Sequence, residues 1–287
     1  MKIKYCLICI FLFATFLIRA QQPNYILQAE EKTNAGLFTE ASVLYERMLF
    51  DASSEDLLNQ AITGKINCLK KAGLFAEAAT FIKTNISSIG SDSNRYKYYE
   101  QWILCTYLAN QLEQSIFLIE QAQLLYPSLA NKQWLGLFKI LCLNEQDKWA
   151  EASQMYQQWV KGAGMDSTAV TNIYATIPKL KSENKAAWLS TFIPGGGQLY
   201  AGKPWEALAA LMIQGAGIYY GIVNFQEKYY LSAILVGGGA FGSFHNGGVR
   251  RSEELVKQYN KRVANTFNEK AKSELIQQMK QMLEQKK

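Results

Sequence analysis

The sequence predicts an all-α protein: an α-solenoid of helical hairpins, then a C-terminal two-helix transmembrane hairpin and an amphipathic helix. Three observations carry that expectation. Cys68, Cys105 and Cys142 stand 37 residues apart, and richer segments repeat at the same period. Two charge-free apolar stretches, 207–225 and 229–244, are separated by three residues. Pro is scarce, with five in 287 residues, so long helices meet few obstacles.

The chain opens on an export signal at residues 1–20. Lys2 and Lys4 supply its positive start, 5–18 is uncharged and strongly apolar, and Arg19-Ala20 precedes Gln21 at a cleavage point. Retention as an uncleaved anchor is the alternative. Cys6 and Cys9 lie inside the apolar run, not where a lipoprotein signal needs a Cys.

Residues 24–162 read as four repeats. Leu37-Phe38-Thr39-Glu40-Ala41 is followed at the 37-residue period by Leu74-Phe75-Ala76-Glu77-Ala78, Gln111-Leu112-Glu113-Gln114-Ser115 and Lys148-Trp149-Ala150-Glu151-Ala152. Phe38, Phe75, Leu112 and Trp149 are in register as large packing residues. Ala41, Ala78, Ser115 and Ala152 are in register as small ones that let two helices approach. A fixed period of this size marks a solenoid, in which each hairpin buries its apolar face only against its neighbours. Gly36 and Gly73 mark the turn, and repeats three and four are read as replacing it with Gln111 and Lys148. The unit resembles the tetratricopeptide repeat: Gly36-Leu37-Phe38-x-x-Ala41 matches its Gly-x-Tyr-x-x-Ala turn, and Pro127 takes the place of its terminal proline. The period of 37 departs from that family's usual 34. Cys68, Cys105 and Cys142 fall on first helices, where buried spacers are the leading reading and redox chemistry the alternative. Stacked equivalents about 10 Å apart would not converge on a metal.

Residues 163–184, through Pro178 and Lys179-Leu180-Lys181-Ser182, read as a linker. The cassette at 185–248 follows. Its first apolar stretch would span about 28 Å as a helix and its second about 24 Å. Gly217 and Gly221 in the first, and Gly238 and Gly242 in the second, form Gly-x-x-x-Gly pairs that suit close helix contact in lipid. A buried helical hairpin of a soluble domain is the rival reading. Tyr219, Tyr220, Tyr229 and Tyr230 cluster at the connecting end, as an interfacial belt would.

The run Leu189-Ser190-x-x-Ile193-Pro194-Gly195-x-Gly197-Gln198-x-Tyr200-x-Gly202 resembles the opening of the TM2-like membrane hairpin cassette of bacterial envelope proteins. Asn246 and Tyr259-Asn260 match its closing pattern, while Gly196 stands where a larger apolar residue is common. The resemblance covers about 184–262 and implies membrane residence, with no established reaction. Pro194 and the glycines would turn the backbone at the membrane surface, with Gln198 and Tyr200 hydrogen-bonding it. An anion nest is the alternative, although Lys203 after the last Gly does not follow P-loop order. Residues 249–287 read as a basic amphipathic helix, with Leu255, Tyr259, Val263 and Phe267 and then Leu275, Met279 and Leu283 on one side. It would either dock on the cassette or lie at the lipid surface.

The net charge of +6 is mild, and 250–287 hold ten basic against five acidic residues. That tail suits an anionic lipid surface or acidic partner and is too dilute for nucleic acid. No metal-ligand spacing, cofactor motif or activated nucleophile stands out. The expected function is therefore non-enzymatic: an envelope scaffold binding a protein or peptide partner through its repeats. It would sit at the inner membrane with the repeats facing the periplasm. Lys203, Arg250 and Arg251 flank the spans on that same side, against the positive-inside preference, so either the leader's Lys2 and Lys4 set orientation, the leading reading, or the hairpin is only partly inserted. The alternatives are a homo-oligomeric, lipid-handling hairpin protein, and an enzyme using His245, the single histidine.

Overall fold

The computed structural model describes residues 25–164 and 172–284; the leader at 1–20 lies outside them. Among the described residues every regular element is helical, as an all-α fold requires. The chain divides into two compact units, one ending at Gln146 and one beginning at Asp147.

The first unit holds α1 (Tyr25–Asn34), α2 (Phe38–Asp51), α3 (Glu55–Lys71), α4 (Phe75–Asn85), α5 (Asp92–Leu108), α6 (Leu112–Leu125) and α7 (Lys132–Glu145). Each helix packs on the next in the chain. Ends are set locally: Ser54 caps α3 by accepting from Leu57 N, with Glu55 and Asp56 in the first turn and Lys70 and Lys71 in the last, both favourable to the helix dipole. Asn131 caps α7 in the same way through Trp134 N. Ile62, Ile66, Ile82, Ile103, Leu118 and Ile119 form the core beneath.

The 37-residue period reappears in the backbone. Leu37 N donates to Lys32 O, Leu74 N to Leu69 O and Gln111 N to Thr106 O, each at 2.8–2.9 Å. These bonds close the preceding helix around one left-handed residue. That residue is Gly36 (φ 77°), Gly73 (φ 74°) and Asn110 (φ 58°), and Asp147 (φ 57°) takes the same left-handed conformation at the fourth position of the period. The reading that Gln111 and Lys148 replace the turn glycine is thus corrected by one position. Asn and Asp tolerate the left-handed region because their short polar side chains bond locally. Asn110→Ala is expected to cost about 1 kcal/mol, seen as a lower urea midpoint, while Asn110→Gly leaves the midpoint unchanged.

Ala41, Ala78, Ser115 and Ala152 are all fully buried. Ser115 shows why the position is small: α6 comes close enough for its Oγ to donate to Ile103 O of α5 at 3.3 Å. Phe38, Phe75 and Leu112 are half-buried and Trp149 buried. Tyr45, Trp102 and Tyr156 are buried core residues as well.

Cys68, Cys105 and Cys142 are free and buried on α3, α5 and α7. Burial pushes the Cys105 and Cys142 thiols from 9.0 up to about 11. Their ionisation is therefore harder in the folded than in the unfolded chain. The stability this confers is intact below pH 9 and is lost as pH rises towards 11, on the order of 2 kcal/mol per thiol. Urea unfolding at pH 8 and pH ~10.5 should show the decline, and a Cys105→Ala, Cys142→Ala variant should lose this part of it.

The second unit contains α8 (Trp149–Gly162), a 3-10 turn (Ile173–Thr176), α9 (Glu183–Phe192), α10 (Gly196–Tyr200), α11 (Pro204–Gln226), α12 (Tyr230–Ser232), a π turn (Ala233–Gly238) and α13 (Gly239–Glu284). Three expectations change. First, α8, the last helix of the expected repeats, falls in this unit, where Trp149 Nε1 donates to Asn268 Oδ1 at 2.9 Å and Tyr156 OH to Gln278 Oε1 at 3.1 Å. Second, the expected linker contributes to the core: Ile173 and Tyr174 are buried, and Tyr174 packs edge-on to Phe267. Third, the second apolar stretch and the basic tail are not separate helices. α13 runs for 46 residues through His245-Asn246-Gly247-Gly248, because no proline interrupts it. Its buried face includes Leu255, Val256, Ala264, Ala271, Leu275 and Met279, whereas Leu283 is exposed. Among the described residues one helix, α11, is long and apolar enough to cross a membrane.

Candidate functional site

The six loop residues singled out by sequence come together where α9, α10, α11 and α13 meet. The chain leaves α9 at Ile193, held extended by the following proline. Pro194 is half-buried, and Gly195 then turns at φ 81°. A Cβ on Gly195 would lie 2.4 Å from Ala207 O, and one on Gly197 only 2.2 Å from Ala186 O and 2.6 Å from Ser252 Cβ. α10 is thus wedged among three other helices, and only glycine fits at its crossing point.

A hydrogen-bond chain runs through this wedge. Gly197 N donates to Ser190 Oγ at 3.0 Å, Ser190 Oγ to Gln198 Oε1 at 3.1 Å, and Gln198 Nε2 to Gly248 O at 2.9 Å. Gly196 N and Leu199 N donate to Ile193 O and Gly195 O. These three loop N–H groups (196, 197 and 199) are therefore already committed within the protein, which favours the structural turn over the anion nest. Gly202, at φ 85°, closes α10 while Lys203 N donates to Gln198 O.

Tyr200 and Tyr259-Asn260 hold the segment that enters α9. Ser182 N donates to Tyr200 OH at 3.1 Å, and Lys181 Nζ to Tyr200 O at 2.8 Å. The Asn260 amide accepts from Lys181 N and donates to Lys181 O, both at 2.8 Å. The Lys181 ammonium also sits 4.0 Å from the Tyr259 ring centroid, a cation–π contact. Asn246, expected to share in this closure, is exposed.

Above the wedge, α11 and the returning helix pack closely. A Cβ on Gly217 would meet Phe241 N at 3.6 Å, and one on Gly221 would meet Gly237 Cα at 3.7 Å. The partner on the second helix is Gly237, whose added Cβ would lie 2.6 Å from Gly221 Cα. Gly238 and Gly242 have nothing within 4 Å, so their assignment to this contact is corrected. Spacing alone does not reveal which face of a glycine run meets a neighbour. Ala233, Gly237 and Phe241 lie four apart across the π turn and share the contact face. Missing side chains leave a groove of about 560 Å³ lined by Gly217, Gly221, Ile222, Phe225, Ala233 and Gly237, among others.

Buried polarity on this helix pair is confined to a few groups. Gln214 is buried, and its Oε1 lies 3.4 Å from His245 Nδ1; the imidazole stacks on Phe241. Its polar neighbour is an amide, not a carboxylate or nucleophile. Glu206 accepts two bonds from Arg251 at 2.9 and 3.1 Å at the base of α11.

A second feature, in the first unit, was missed by sequence reasoning. A polar groove of about 440 Å³ opens between α3 and α5, lined by Asn59, Thr63, Asn67, Asn94, Tyr98 and Gln101, among others. Tyr98 OH donates to Asn59 O at 3.1 Å and lies 3.0 Å from Thr63 Oγ; Lys70 Nζ donates to Gln101 Oε1. Burial raises the Glu100 carboxyl above its ordinary range. The available signal was the four-residue spacing of Asn59, Thr63 and Asn67, which puts them on one helix face. Among the described residues, no three His, Cys, Asp or Glu side chains gather as metal ligands would.

Residues 179–287 match a family described as one of unknown function (DUF5683). No curated protein and no solved structure matches this chain.

Proposed function

We propose that the protein is a membrane-tethered scaffold of the cell envelope that holds a protein or peptide partner on tetratricopeptide-like repeats. The observation that carries the tether is the exposure of α11. Its most apolar window is only 6% buried, with Leu208, Leu211, Met212, Ile213, Ile218 and Ile222 all open to the surroundings. Each such side chain, about half exposed, forfeits on the order of 1 kcal/mol of burial in water, so hydrocarbon is the medium that suits this helix. α11 and the helix that returns along it would form the two-span hairpin. The groove of Asn, Gln, Thr and Tyr side chains supports the scaffold half, because amides and hydroxyls both donate and accept, matching the main chain of an extended peptide.

Alkaline extraction of envelopes, with protease added to intact spheroplasts, tests the tether. A protein that stays in the membrane pellet while its repeats are digested supports it; release as a soluble protein overturns it. A photo-crosslinker at Asn67 tests the scaffold half, which requires a discrete adduct from that groove.

One observation favours an oligomeric, lipid-handling role as second reading. Gly238 and Gly242 have open space where a Cβ would stand, and a second copy approaching there would find small residues. Gly238→Leu that abolishes oligomers while leaving partner capture intact would support this reading over the first.

A further inference from the structure

We propose that the base of the apolar helix pair carries a collar that seats in the headgroup layer of an anionic bilayer. Trp188, Phe192 and Trp205 would enter the interface, and Lys203 and Arg250 would meet lipid phosphates. The proposal rests on the membrane reading of α11 and adds what the rim of that anchor recognises.

The first observation is the outer face of α9. Its inner face buries Ala186 and Ser190 against α10 and α13. At 100° per residue the opposite face carries Trp188 and Phe192. Both are exposed, at 63% and 66%, with rings 4.7 Å apart. A helix turned to water would place polar residues there. Ile193, Leu199 and Trp205 are exposed too.

The second observation is height. α9 runs antiparallel to the stretch of α13 beside it: Lys181 meets Asn260, Glu183 lies 3.6 Å from Lys257, and Gly197 crosses at Ser252. Phe192 therefore points towards the apolar end of α13. Trp205 shares that level, because its neighbour Glu206 holds Arg251. From Trp205 to the end of α11 is about 31 Å at 1.5 Å per residue, one hydrocarbon thickness. Tyr229 and Tyr230 are exposed just past that far end. The two aromatic rims are spaced as the two faces of a bilayer, where Trp and Tyr concentrate.

The third observation is charge. Lys203 and Arg250 are exposed around the lower rim, and no ion pair among the described residues engages them. Glu206 is matched by Arg251 and Glu183 by Lys257, while Glu253 and Glu254 lie on the next turn of α13, farther from the apolar end. The rim is thus cationic where headgroups would lie, and anionic lipid is the complement.

The test uses full-length protein diluted from detergent into a mixture of two separable vesicle populations. One is phosphatidylcholine; the other also contains phosphatidylglycerol, and both carry lipids brominated near the headgroup. The expected result is a distribution favouring phosphatidylglycerol that falls about fivefold for each of Lys203→Gln and Arg250→Gln. Bromine quenching of tryptophan emission should also shrink in Trp188→Phe and again in Trp205→Phe. Protein bound to vesicles without lipid preference, or with Trp188 and Trp205 unquenched, overturns the collar and leaves the tether standing. Protein that enters neither population overturns the membrane reading as well.

Discussion

Replacing Gly197 by alanine is expected to unfold the junction of α9, α10, α11 and α13. The added methyl would sit 2.2 Å from Ala186 O, 2.4 Å from Ser190 Oγ and 2.6 Å from Ser252 Cβ. Ala186, Ser190 and Ser252 are themselves fully or almost fully buried, and one obstacle is backbone, so no flexible side chain can yield. Overpacking of this severity costs about 3 kcal/mol or more. Pushing α10 outward would also break the chain from Gly197 through Ser190 and Gln198 to Gly248 O. Thermal unfolding of the full-length protein in detergent should show a drop of about 10 °C, with new protease cleavage between α9 and α11. Gly215→Ala is the control: it lies in α11 with nothing within 4 Å, so its midpoint should hold or rise slightly. Equal midpoints for wild type and Gly197→Ala would show that α10 is not wedged as described.

Trp149→Ala should be comparably damaging, for a different reason. The indole is 6% exposed, its ring lies 5.2 Å from Phe267, and its N–H is bonded to Asn268 Oδ1. Truncation removes a large buried side chain and strips the Asn268 carbonyl of its tryptophan donor. Loss of an aromatic of this size costs about 3–5 kcal/mol. Trp149→Phe separates the parts: packing on Phe267 survives while the hydrogen bond is lost, for about 1–3 kcal/mol. Denaturant unfolding of both variants measures the two costs. If Trp149→Ala were no worse than a surface substitution, the seat of α8 on α13 would be disproved.

What the chain reveals before folding differs from element to element. The period was legible because Ala41, Ala78, Ser115 and Ala152 answer one steric demand, close helix approach, which few side chains meet. The left-handed residue beside it was misplaced in repeats three and four, because Asn110 and Asp147 reach that conformation without being glycine. Hydropathy located α11 but divided the helix after it, since an apolar run ends where polar residues begin while a hydrogen-bonded backbone continues through both. Gly237 was passed over for Gly238 because the glycine run at 237–239 offers several equivalent spacings and the π turn selects one. The loop residues from Pro194 to Gly202 were recognised by resemblance, and their convergence follows from steric exclusion at Gly195 and Gly197. The groove between α3 and α5 needed two helices brought together, which no single stretch of sequence displays.

The unbroken run of α13 has a mechanical consequence. A helix of 46 residues is about 69 Å long. Its one end packs on α11 and its other holds α8 through Asn268 and Gln278. A rod of this kind has no hinge at which to absorb a rotation. Tilting it by about 10° would sweep the far end through about 12 Å, and turning it would turn the side chains that grip Trp149 and Tyr156. If α11 lies in a bilayer as proposed, lateral tension or a change of its thickness would act as torque on α8, through one lever and without any intermediate joint.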